Sequence, residues 1–192
     1  MERYRQILTV TNVGPVTRAL KSISSSSVTM SPTKALAVIE AMNCHALIQD
    51  FVRVASIAGK SIAESDIDVE SLPAPHRATS LPKGKMAVYV FSYGDVVLKV
   101  GKVGANSGPR YTHQHYNAAS AASTLAASLI NGGADIGASG LTVETAGEWI
   151  RTNTHRTNFL LKAEQGVPLL SLLEAFLHCR LEPRFEGFAS QR

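Results

Sequence analysis

The chain has 192 residues, 45% of them hydrophobic and 18% charged, which is enough to bury a core and too apolar for a disordered composition. A formal net charge of +4 and a pI of about 9.2 allow a nucleic-acid partner without requiring one. Two cysteines, Cys44 and Cys179, lie far apart without CxxC-type spacing, so they read as reduced thiols and not as a structural zinc site.

At the start, MERYRQILTVTNVG has no apolar stretch of signal-peptide length, and no segment approaches the roughly 20 apolar residues that span a bilayer. A cytoplasmic protein with no membrane partner is expected. A serine run at 24–27 and Ser31-Pro32 suit a helix start, so one long or two shorter helices are expected from Pro32 to about Ala58, ended by Gly59. Glu64, Asp66, Asp68 and Glu70 follow as an acidic connector. Pro73, Pro75, Pro82 and Gly84 read as a linker, which puts a domain boundary near residue 80. Residues 1–80 are then a mainly helical accessory, recognition or dimerisation region, and 81–192 a second domain.

Beyond the boundary the pattern changes. MAVYVFS (Met86–Ser92) and VVLKVGK (Val96–Lys102) flank Tyr93-Gly94-Asp95, which predicts a β-hairpin. Asn106-Ser107-Gly108-Pro109 opens a helix expected to reach about Ile130. Residues 134–148 read as an inserted loop, a strand is expected within Ile150–Leu161, and Val167–Leu181 is a helix stopped by Pro183. The fold class is α+β, a small antiparallel sheet flanked by helices.

Several residues in this order carry chemistry. If Phe91 faces Val97, Tyr89 lies across from Lys99, with Cβ atoms about 5 Å apart, and the cation should lower the phenol pKa. The alternative is a solvent-facing Tyr–Lys pair. Along the next helix Arg110, His113, Gln114 and Asn117 share one face, and Tyr111, Ala118, Ala122, Leu125 and Leu129 another. Arg110 in the first turn suits a phosphate. His113 is the functional candidate, and His115, nearer the apolar face, reads as structural. Glu174, among Leu170, Leu173, Leu177 and Leu181, is either a carboxylate holding a cation or a helix-surface residue bridging His178.

Together these residues resemble the GIY-YIG endonucleases over 86–192. Val88-Tyr89-Val90 is similar to the GIY strand and Lys99-Val100-Gly101-Lys102 to the YIG strand. Arg110 takes the place of the family arginine, and Glu174 to Glu186 is similar to the closing segment with its metal-binding glutamate. A lysine in the second signature position resembles the restriction-enzyme branch. Gln114 stands where a histidine is often found, and Glu186 where an asparagine is usual.

The resemblance implies a metal-dependent DNA endonuclease. Glu174 would bind one Mg²⁺ or Mn²⁺, and Tyr89 would be the general base supported by Lys99. Arg110 would stabilise the transition state, with Lys102 and His113 completing the catalytic set. A restriction-type enzyme cutting double-stranded DNA as a homodimer is the first expectation. A non-specific or single-strand nuclease of toxin or mobile-element type, or a silent nucleic-acid-binding module, remains open. For contacts to DNA, Arg151-Thr-Asn153-Thr-His155-Arg156-Thr-Asn158 and Arg184 in the basic tail are the candidates, although 151–158 could equally be an ordinary polar strand and its loop.

Overall fold

The computed structural model describes residues 43–121 and 123–185. Of the helix expected from Pro32 to about Ala58, the stretch before residue 43 lies outside them, and so does Glu186.

Helix α1 (Cys44–Ile57) starts where the Asn43 side chain accepts from the Ala46 N–H at 3.1 Å, and it buries Leu47, Ile48, Phe51 and Ala55 along one face. Four strands follow: β1 (Ile67–Leu72), β2 (Lys85–Tyr93), β3 (Val96–Val103) and β4 (His155–Lys162). They form one antiparallel sheet in the order β1-β4-β2-β3. Between β3 and β4 come α2 (Gly108–Thr112), a 3-10 turn at Gln114–Tyr116, α3 (Leu125–Gly132) and α4 (Ala146–Asn153); after β4 comes α5 (Gly166–Leu181). This is the expected α+β class.

Apolar layers cover both faces of the sheet. On one, Val88, Val90, Val100 and Phe159 pack against Phe51 of α1 and Leu169, Leu170, Leu173 and Leu177 of α5. On the other, Ala87, Tyr89, Phe91 and Leu98 pack against Tyr111, Tyr116, Leu125, Leu129 and Ile150. A strand covered on both faces needs apolar residues at successive positions, which is why MAVYVFS is continuous and not alternating.

Three expectations need correction. First, the hairpin register differs: Tyr89 faces Gly101 and Phe91 faces Lys99, and a bulge between Phe91 and Ser92 moves the turn end by one residue. Second, the helix expected up to Ile130 is broken. Ser120 Oγ donates to the carbonyls of Gln114 and Asn117, and Asn117 Oδ1 accepts from the Ala119 N–H at 2.9 Å. These local bonds compete with helix continuation, and Thr124 caps a fresh start at α3. Third, residue 80 is no boundary. The acidic connector contributes β1, which pairs with β4 from Ile67↔Leu161 to Leu72↔Arg156, while α1 shares the apolar layer of α5. Part of the expected inserted loop and all of 151–153 fold as α4 or its approach, where Gly147 is needed because a Cβ there would lie 2.3 Å from the Tyr116 carbonyl oxygen. Among the described residues no helix is long and apolar enough to cross a membrane.

Candidate active site at the edge of the sheet

Strand β3 is an edge of the sheet, and its first half is lined by the chain beyond α5. The backbone N–H groups of Arg184 and Phe185 donate to the carbonyls of Val97 and Leu98, both at 2.9 Å. Further along β3 opens a cleft of about 350 Å³, lined among others by Lys102, Ser107, Arg110, Leu170 and Glu174. Three different elements therefore bring Lys102, Arg110 and Glu174 together.

Their connections are short. Lys102 Nζ donates to Glu174 Oε2 at 2.6 Å, with both side chains partly exposed. Arg110 is exposed at the mouth and its Nε donates to Tyr89 Oη at 3.4 Å. Tyr89 itself is fully buried. Its ring lies over Gly101, where an added Cβ would meet the phenol oxygen at 2.6 Å, so only glycine leaves room for it.

The second partner of the phenol is His115, buried and in edge-on ring contact with Tyr89. The Leu125 N–H donates to His115 Nδ1 at 3.3 Å, and Nε2 lies 2.5 Å from Tyr89 Oη. Burial first, then the cations Lys99, Arg110 and Arg156, push the His115 pKa down to about 3, so the ring is neutral. With Nδ1 accepting, the ring proton belongs on Nε2, where it donates to Tyr89. This tautomer follows from the hydrogen-bond network. The phenol oxygen thus receives two N–H donors.

The pKa expectation for Tyr89 is reversed. Burial raises it above its ordinary value of 10, and the hydrogen bond and charge of Arg110 counter that only in part. Lys99 stays on the face of Tyr89 but two pairs along the ladder, opposite Phe91; it is buried, and its Nζ donates to the Phe185 carbonyl at 3.1 Å. The shift in register keeps the two residues on one face and replaces direct pairing with a diagonal relation.

His113 and His115 exchange the expected roles. His113 is exposed and lines a different cleft, because the break after Thr112 turns His115 inward. The signal for this was Asn117 and Ser120, which form turns more readily than helix interiors.

The proposed DNA-contacting strand is also mostly inside. His155, Arg156 and Asn158 are buried in β4, between β1 and β2. Arg156 donates to Asn158 Oδ1 and the Tyr111 carbonyl, both at 2.8 Å, and stacks over the rings of Tyr89, Phe91 and Tyr111. Asn158 Nδ2 in turn donates to Glu70 Oε2 at 2.7 Å, which links the buried guanidinium to a carboxylate of β1. These residues brace the layer beneath Tyr89. Asn153 is half-buried and donates to the Trp149 carbonyl, Arg151 lies partly exposed over the Tyr116 ring, and exposed Arg184 pairs with Asp135. Of the six expected contacts, Arg151 and Arg184 offer charge at the surface.

Magnesium-class ions are held by one or two carboxylates and otherwise keep water and phosphate oxygens. Glu174, half-buried in an open cleft with cations on two sides, fits that pattern as the single carboxylate ligand. In comparison with known proteins, the chain matches no family model, no curated relative and no solved structure.

Proposed function

We propose that the protein is a metal-dependent phosphodiesterase acting on DNA. Within that class, the GIY-YIG resemblance with Lys99 in the second signature position points to a restriction-type endonuclease working as a homodimer. The observation that carries the reading is the joining of Arg110, Lys102 and Glu174 at one cleft on the β3 edge, with the buried phenol of Tyr89 bonded to Arg110 behind it. Cations beside a single carboxylate and a doubly donated phenol suit an anionic substrate and a proton to be moved.

In this reading Glu174 holds the divalent ion, and Lys102, bonded to it at 2.6 Å, keeps the carboxylate turned into the cleft. What such an ion supplies when bound is polarisation of the phosphoryl group and easier departure of the leaving oxygen. Arg110 and Lys102 offset charge that builds on the phosphate oxygens. Tyr89 first loses its own proton to solvent, and the phenolate then accepts a proton from the attacking water; His115 Nε2–H and Arg110 Nε–H stabilise that phenolate against the cost of burial.

One observation favours a second reading, a nuclease of low sequence preference. Burial of His155, Arg156 and Asn158 removes the richest group of base-reading side chains from the surface. Incubation with plasmid and Mg²⁺, followed by electrophoresis, separates the two: discrete fragments support the restriction reading and a smear the second. Intact plasmid with a mobility shift contradicts both and leaves a binding module.

A further inference from the structure

A second, larger cleft, of about 740 Å³, is lined by Arg77, Thr112, His113, Arg151 and Glu148, among others. It shares a wall with the catalytic cleft. Helix α2 is five residues long; Arg110 lines the catalytic cleft, while Thr112 at its end and the adjoining His113 line this one. Arg77 is exposed, and Arg151 is partly exposed and held over the Tyr116 ring at 4.8 Å. Glu148, the one carboxylate in the lining, lies 3.8 Å from Arg151 and offsets one of the two guanidinium charges.

The floor is rigid. Buried His76 donates from Nδ1 to the Thr154 carbonyl at 2.8 Å and accepts at Nε2 from the Tyr116 hydroxyl at 2.9 Å. The His76 N–H also donates to the Arg151 carbonyl, at 2.8 Å from that backbone group. These bonds tie the segment carrying Arg77 to the helix carrying Arg151, so the two cations face the cleft from two fixed walls.

We propose that this cleft binds the sugar-phosphate backbone of the nucleic-acid strand next to the scissile phosphate, with Arg77 and Arg151 on its phosphates and His113 at the crossing of α2. The inference rests on the nuclease reading for what fills the neighbouring cleft. Its cationic lining, open shape and shared wall suit a continuous polyanion that passes over α2 from one cleft to the other.

The test is fluorescence anisotropy of a short labelled DNA duplex with the full-length protein in EDTA over a range of salt, alongside plasmid cleavage in Mg²⁺. Arg77→Ala should weaken binding several-fold and lower the slope of log K against log salt by about 1, as loss of one phosphate contact does. Arg77→Glu should weaken binding further, and Arg151→Lys, which keeps charge and much of the stem, should retain more affinity than Arg151→Gln. Unchanged affinity and salt slope in both Arg77 variants, with wild-type cleavage intact, would overturn the cleft assignment and leave the nuclease reading standing. Binding that depends on Arg77 in a wild-type protein that never cuts would keep the cleft and overturn the nuclease reading. Competition by inorganic phosphate in this cleft without any effect of Arg77 on DNA affinity would also overturn the strand proposal.

Discussion

The phenol of Tyr89 sits over Gly101 with N–H donors from His115 and Arg110, and Gly101 and His115 each make a separate prediction. Gly101→Ala places a methyl 2.6 Å from the phenol oxygen, so the ring must move. Cleavage should fall at least as far as in Tyr89→Phe, and the lost Tyr89–His115 contact should be visible in the histidine ring signals by NMR. His115→Ala removes one donor to a phenolate, a bond worth about 1.5–3 kcal/mol, so the cleavage rate should drop about tenfold or more. Because burial raises the Tyr89 pKa, the rate should climb with pH through the neutral and alkaline range, and His115→Ala should move that climb to higher pH. A pH–rate profile that the variant lowers uniformly without displacing would contradict the donor role. Spacing made Tyr89, Arg110 and Glu174 legible in the sequence. His115 was not, since its inward turn depends on a helix break that the apolar periodicity hid.

Strand β4 shows at the level of the element why a polar sequence misleads. HRTN reads as a surface that could grip DNA, but the strand is central. Arg156 and Asn158 direct their side chains to each other, to the Tyr111 carbonyl and to Glu70, while His155 Nδ1, Arg156 Nη2 and Thr157 Oγ1 are buried without a hydrogen-bond partner among the described residues. Asn158 lies in one row with Glu70, Tyr89 and Gly101, and Arg156 in the next row with Leu72, Phe91 and Lys99. Removing Arg156 would orphan Asn158 Oδ1 and the Tyr111 carbonyl in the core, at a cost of about 3 kcal/mol. Arg156→Ala should therefore lower the thermal midpoint strongly, measured by calorimetry. On the opposite face, Leu173→Ala should cost about 2–5 kcal/mol through the cavity left against α1 and the sheet. The hairpin itself was legible from its β-rich runs and the Gly94 turn, where φ is 59°. Its register was not, because a bulge leaves no mark in residue pattern alone.

Across the whole molecule, α1 and β1 complete the sheet and core that the candidate site residues stand on. The prolines at 73, 75 and 82 mark a connection inside the fold and not a border between domains. Three buried histidines, His76, His115 and His155, give this body a pH signature, since burial lowers the pKa of each. Burial is the first cause that holds His76 at about 4 and His115 at about 3 in place of 6.5. Unfolded chains take up protons below about pH 6.5 while the folded ring does not, so stability is full above that value and declines as pH falls toward 4 and 3. Denaturant midpoints at pH 7.5, 5.5 and 4.5 should fall in that order, and His76→Gln, His115→Gln together should flatten the decline. The α+β class was readable because helical and β patterns segregate along the chain; the integration of residues 44–72 was not, since strand pairing over such a sequence distance leaves no local signal.

The central claim is that Tyr89 and Glu174 belong to one hydrolytic site. Its most direct measurement is plasmid cleavage in Mg²⁺ by the wild type, Tyr89→Phe and Glu174→Ala, with circular dichroism and DNA affinity followed for each. The account predicts cleavage by the wild type and none detectable by either variant, with fold and affinity retained. Cleavage at the wild-type rate by either variant would contradict it.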